Sequence, residues 1–241
     1  RQYYMNPPAK DLSKIASSDK VKKVQKDFEA THVRPQRLMK TLFTDEAYVK
    51  ANVDEARLMR RLFDLACNMQ SHDTDMQLYS LFTDEECYDL WSCNNLYWYL
   101  THACSPVTDG LMPYREADLL RNILDRADAA LKEGKNQATL RFGHESCLLP
   151  LVALLELNHY GESYPDVEKL SEQWRAYDIF PMASNVQFVF FHKKGSNDVL
   201  VKVLLNEKEA KLPVKTDVAP YYHWKDVESY YREKLDKYQH I

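Results

Sequence analysis

The sequence predicts an α/β domain that is incomplete as it stands, joined to a large helical domain. Three observations carry this reading. Glycine is absent before Gly110, and residues from about 35 to 133 read as helices joined by short polar connections. After Gly134 the pattern changes to a strand-to-helix passage followed by a β-rich hairpin. A parallel sheet needs several such passages and only one clear example is visible, so the remaining strands are expected from polypeptide outside these residues. The expected division is a mainly helical part, 1–134, and the C-terminal part of an α/β domain, 135–241.

Within the helical part, Leu58, Leu62 and Leu65 recur with Met59 and Ala66 at helical spacing, while Arg57, Arg60, Arg61 and Asp64 fall elsewhere on the wheel. Asp84, Glu85 and Glu86 open a second helix, where acidic residues suit the positive end of the helix dipole. That helix carries Tyr88, Leu90, Trp91, Leu96, Tyr97, Trp98 and Leu100, too aromatic to stand exposed, so Trp91, Tyr97, Trp98 and Tyr99 are read as core. Ser105-Pro106 and Asp109-Gly110 punctuate the chain, and 116–131 forms a third helix ended by Gly134. Residues 138–142 then read as a strand, 148–157 as the helix that follows it, and 165–181 as an irregular connection holding Trp174. The runs 186–191 and 199–205 flank Lys193-Lys194-Gly195-Ser196-Asn197-Asp198 as an antiparallel hairpin, and an amphipathic helix over 224–238 closes the chain.

Composition narrows the function classes. With 241 residues, of which 45% are apolar, the chain can bury a substantial core. It has no apolar run of about 18 residues, so no membrane span is expected. A net charge of −4 argues against general nucleic-acid binding, which relies on a basic surface. Any anionic ligand therefore needs local positive charge. The five cysteines, Cys67, Cys87, Cys93, Cys104 and Cys147, show no Cys-x-x-Cys spacing and read mostly as buried thiols, with one disulfide conceivable among Cys87, Cys93 and Cys104. His102 with Cys93 and Cys104 matches no standard metal site. The chain opens at Arg1 without a signal-like apolar stretch, and a functional segment upstream is expected.

The most informative stretch is Gly143-His144-Glu145. A histidine and a carboxylic acid at a strand-to-helix junction can hold an oxyanion and supply a proton, with the N–H groups of the new helix aimed at the same place. Gly143 permits close backbone approach. The competing reading is a hydrogen-bonded structural histidine.

A family resemblance joins these residues. Leu140-Arg141-Phe142-Gly143-His144-Glu145 with Leu148-Leu149-Pro150-Leu151, then 180–185, then 201–208 with Leu212-Pro213, resemble in order the C-terminal part of the histidine acid phosphatases. Within them the multiple inositol polyphosphate phosphatases, which are phytase-like, are the most similar branch. Leu42-Phe43-Thr44-Asp45 and Asn94-Asn95-Leu96-Tyr97-Trp98-Tyr99 extend the resemblance into the helical part. It implies a phosphoglycerate-mutase-like α/β fold with an inserted helical domain, and a small phosphorylated substrate bound in the cleft between them. It implies no metal and no organic cofactor, and an exported location, periplasmic or secreted; with the charge and the lack of a long apolar run, neither a nucleic-acid partner nor a membrane is expected. In that family a histidine of an Arg-His-Gly-x-Arg-x-Pro motif attacks phosphorus, a second histidine binds the phosphoryl oxygens, and a neighbouring acid protonates the leaving alcohol.

Carried over by position, His144 matches the second histidine and Glu145 the proton donor, made competent by partial burial and an anionic substrate. In the most similar branch the acid stands two residues after the histidine, where this chain has Ser146, so either Glu145 occupies the acid position directly, which is the favoured reading, or the acid is displaced and activity weakened. Arg-His-Gly occurs nowhere in these residues, and Thr31-His32-Val33-Arg34-Pro35 lacks the glycine, so His32 reads as surface or helix-entry. The nucleophile is expected on a separate N-terminal segment, and this chain alone is expected to be inactive. Arg141 is either a phosphate ligand or a strand-end salt bridge. Lys208, with Asn206 and Glu207, ends a strand near the site. Arg34, Arg37, Lys40, Arg57, Arg60 and Arg61 are candidates for a basic wall, of which one or two would serve. Two other functions fit the same residues: a general acid phosphatase, and a non-catalytic protein that binds phosphate-rich ligands.

Overall fold

The computed structural model describes residues 10–135 and 137–238, and these divide into two units. The smaller, Asp19–Tyr97, holds α2 (Asp19–His32), α3 (Gln36–Leu42), α4 (Glu46–Asn52), α5 (Glu55–Asn68) and α6 (Asp84–His102) as far as Tyr97; α1 (Lys10–Ala16) belongs to the larger. Two aspartates set its tight helix joints. Asp45 accepts from Tyr48 N at 2.9 Å to start α4, and Asp54 accepts from Arg57 N at 3.0 Å to start α5. At α6, Thr83 Oγ1 accepts from Glu86 N at 3.2 Å while Glu86 Oε2 accepts from Thr83 N at 3.0 Å, a reciprocal capping box.

The core of this unit gathers Leu38, Met39, Val49, Met59, Ala66, Phe82 and Leu90, so the α5 stripe expected from its periodicity is the face that packs. Leu65, expected on that stripe, is 51% exposed. Tyr97, read as core, is 46% exposed, whereas its neighbour Leu96 is buried. Aromatic density does not fix which side of a helix faces inward.

In the larger unit, α7 (Ala117–Glu133) ends on Gly134 in the left-handed conformation, φ 63°. There follow α8 (Glu145–Leu154), α9 (Leu170–Gln173), α10 (Ala176–Ile179), β1 (Val186–His192), β2 (Val199–Leu205), β3 (Lys208–Glu209), β4 (Tyr222–His223) and α11 (Trp224–Tyr238). The strands form an antiparallel sheet of order β1-β2-β3, with β4 also on β2, and the hairpin register runs from Val186↔Leu205 to His192↔Val199. Val201, Val203 and Leu205 alternate onto the buried face, as a half-buried strand requires.

Val227, Tyr231 and Leu235 turn one stripe of α11 inward. Its polar side binds α7: Arg232 reaches Asp125 and Asp128, and Arg121 reaches Asp236. α8 is buried from Leu149 to Leu154, and its C-terminal carbonyls are satisfied by Lys234 Nζ on Leu154 O and Tyr231 OH on Leu155 O, each at 2.7 Å. The segment from Trp98 to 134 falls in the same compact unit as the C-terminal residues, and the units part at 18/19 and 97/98. Among the described residues, no helix is long and apolar enough to cross a membrane.

The expected strand 138–142 is not one. Its residues have no secondary structure, and among the described residues no backbone group pairs with them. Leu140 is 74% and Phe142 86% exposed, and Arg141 between them is half-buried. A strand exists only as half of a ladder, and no partner strand stands beside it among the described residues.

Candidate active site

The extended segment delivers His144 to the N-terminus of α8. His144 is the N-cap, with φ −118° and ψ 164°, and its carbonyl accepts from Cys147 N and Leu148 N, each at 3.0 Å. Its ring makes no capping bond and is exposed. Glu145, the first helical residue, is exposed beside it. Among the described residues the N–H groups of Glu145 and Ser146 find no acceptor. An imidazole, a carboxyl group and two free backbone donors thus share one helix end, where the dipole favours an anion.

The partial burial expected for Glu145 is not seen; its surface is open to solvent. A cavity of about 570 Å³ in the same unit uses Ala153, Leu154, Glu156 and Lys234, at the far end of α8. A helix rises about 1.5 Å per residue, which separates that cavity from His144 by roughly 15 Å.

Arg141 precedes the pair and is anchored by Nη2 donating to Asn122 Oδ1 at 2.8 Å. The strand-end salt bridge considered for it is not formed: its described partner is an amide, and its buried Nε has no acceptor. Lys208 lies apart in the sequence of elements, exposed on β3 opposite Leu205. Asn206 is structural. It adopts a left-handed backbone, donates to Ile179 O at 3.1 Å and accepts from Asn185 N at 3.1 Å.

Most of the candidate basic wall is already neutralised. Arg34 binds Glu85 and Asp89, Arg37 binds Glu86, Arg60 binds Glu29, Arg61 binds Asp64, and Lys40 stands 3.9 Å from Glu46. Arg57 has no ion pair among the described residues. His32 closes α2 with its ring stacked on Phe28 at 3.8 Å, a helix-end position. All five cysteines are free, so the disulfide considered among Cys87, Cys93 and Cys104 is absent. Burial pushes the Cys93 thiol up to about 12 and the Cys104 thiol up to about 11, which leaves both as protonated packing groups. Among the described residues, no three His, Cys, Asp or Glu side chains gather as a metal site would require.

One group near the site was not singled out from the sequence. Glu116 ends the 3-10 turn Met112–Glu116, which packs along α8, and is only 3% exposed. Burial raises its carboxyl to about 8, while Arg115 and the Cys147 thiol pull the other way. Cys147 lies in the first turn of α8, so this acid sits beneath the helix end that carries His144 and Glu145. A glutamate between Arg115 and Ala117 carries no sequence mark of burial.

Residues 1–206 match the model of the histidine phosphatase superfamily, branch 2. Human multiple inositol polyphosphate phosphatase 1 is 28% identical over 134 residues, which is 50% of this chain and 27% of the human protein. Among solved structures, the multiple inositol polyphosphate phosphatase of Bifidobacterium longum in complex with phosphate aligns with a TM-score of 0.64 at 19% identity, covering 98% of this chain and 56% of that one. Its complex with inositol hexasulfate aligns at 0.58 and 19% identity, covering 94% and 55%. The chain therefore spans about half the length of the structures it matches. The likeness shows the fold: mixed helix and sheet of the histidine phosphatase kind, with a large helical portion.

Proposed function

Since the chain belongs to the histidine phosphatase superfamily, branch 2, we propose that it is the helical domain and C-terminal α/β part of a phosphomonoester hydrolase acting on inositol polyphosphates such as phytate. The observation that carries this reading is the exposed His144–Glu145 pair on the α8 N-terminus, with the N–H groups of Glu145 and Ser146 free beside it. The relatives named multiple inositol polyphosphate phosphatases support the substrate class.

In the proposed reaction a histidine on polypeptide outside these 241 residues attacks phosphorus, forming an N–P bond as the P–O bond to the inositol breaks. Glu145 gives its proton to the departing oxygen. His144 and the free N–H groups hold the non-bridging oxygens, whose charge they offset in a fixed geometry. Water, deprotonated by the Glu145 carboxylate, then breaks the N–P bond and releases phosphate. Arg141 is proposed as a phosphate ligand through its guanidinium edge left free by Asn122. Lys208 is the weaker second candidate: it lies exposed on β3, which pairs with β2. An exported location belongs to the same proposal.

A second reading has one observation in its favour. Arg-His-Gly occurs nowhere in the chain, which suits a protein that binds phosphate-rich ligands without turning them over. Assay of the full-length protein decides between the two. Glu145→Gln is expected to slow alcohol release from inositol hexakisphosphate by roughly a hundredfold or more, the usual contribution of a general acid. Unchanged turnover at every pH removes Glu145 from the mechanism. Equal rates on small phosphomonoesters favour a general acid phosphatase, and phosphate binding without any release favours the binding protein.

A further inference from the structure

Glu116 is the described side chain whose chemistry is least explained by packing. Its carboxyl is almost wholly buried, yet Oε2 has no hydrogen-bond partner. Its one described side-chain partner is the thiol of Cys147, which donates to it from the first turn of α8. The N–H of Cys147 in turn donates to His144 O, so thiol, helix turn and N-cap are consecutive links. Burying a carboxyl oxygen without a partner is costly, and far more so when the group is ionised.

We propose that Glu116 is a positioning residue of the anion site: neutral, it holds the first turn of α8 through Cys147, and ionised, it repels the anion bound at His144 and Glu145. This rests on the phosphatase reading of the pair. The charged and titratable groups around it allow this behaviour. Arg115 of its own turn favours ionisation, Asp118 of α7 opposes it, and Cys147 of α8 favours it by hydrogen bonding. α1, which packs on the same turn, keeps Asp11 and Lys14 in solvent, paired with each other. Burial outweighs these influences, so the change of charge falls near pH 8 and not in the usual carboxylate range.

A negative charge roughly 10 Å from a bound anion weakens its binding on the order of tenfold at an effective dielectric constant of about 20. The experiment is calorimetric titration of the full-length protein with inorganic phosphate from about pH 6 to about pH 9.5, wild type against Glu116→Gln. Phosphate's own ionisation affects both proteins alike. Wild type is expected to lose about tenfold in affinity, relative to Glu116→Gln, as the pH passes 8. Identical profiles overturn the role of Glu116 and leave the phosphatase reading standing. No phosphate binding by wild type at any pH overturns the phosphatase reading itself, and this proposal with it. Should Glu116→Gln fail to fold, Cys147→Ala serves. Removing the thiol takes away a stabiliser of the ionised form, so the loss of affinity is expected at higher pH, and an unmoved profile overturns the proposal.

Discussion

Nδ1 of His223 stands 3.0 Å from both carboxylate oxygens of Asp198, and its Nε2 stands 2.9 Å from Oδ1 of Asp217. The imidazole therefore joins the end of the β1–β2 hairpin to the loop before β4. Both contacts favour the charged ring, and they raise it to about 8, with Asp198 the larger cause and Asp217 the second. A histidine raised above its unfolded value stabilises the fold fully below about pH 6.5 and loses that contribution as pH climbs through about 8. Proton NMR should place the His223 titration near 8, and His223→Ala should flatten the melting temperature between those limits. A ring titrating in the ordinary range contradicts the double contact.

Glu116 runs in the opposite direction from an ordinary surface acid. Its folded-state carboxyl is raised from the ordinary 4.5 to about 8, so between those values the folded protein holds a proton that the unfolded chain has released. Stability should fall as pH rises between those values, by an amount on the order of a few kcal/mol, and then level off. Urea denaturation at the two ends of that window, with Glu116→Gln as reference, measures it. A variant with the same pH dependence as wild type contradicts the burial of a neutral acid.

Asp128 is shared by Trp224 and Arg232. Trp224 Nε1 donates to one carboxylate oxygen and Arg232 Nη2 to the other, each at 2.8 Å. Asp128→Ala leaves a buried indole N–H unpaired as well as removing an ion pair, and is expected to cost about 2–3 kcal/mol. Asp128→Asn, which keeps an acceptor for the indole, should cost less. Equal losses in chemical denaturation would show that the ion pair, and not the indole bond, carries the effect.

Gly134 ends α7 at φ 63°, and its N–H donates to Leu131 O at 3.2 Å. No atom lies within 4 Å of where a Cβ would stand, so Gly134→Ala tests backbone strain alone. A loss of about 1 kcal/mol is expected, and a smaller one for Gly134→Asn, which tolerates this conformation better. Thermal unfolding with no change for alanine would mean the cap relaxes.

Elements made from contiguous residues were legible in the chain itself. The hairpin strands, the helix 224–238 and the glycine stop of α7 follow from local periodicity and turn chemistry, which act over a few residues. Gly143-His144-Glu145 was legible for the same reason, since a helix start and its N-cap are neighbours in sequence. Tertiary structure alone decided the rest. The sequence of 138–142 alternates like a strand but finds no partner strand among the described residues, and Arg34, Arg37, Arg60 and Arg61 lose their candidacy to carboxylates from elsewhere in the chain or on the same helix. Glu116 became a buried neutral acid only because a turn packs along α8, and burial is set by what folds over a residue, not by the residue itself.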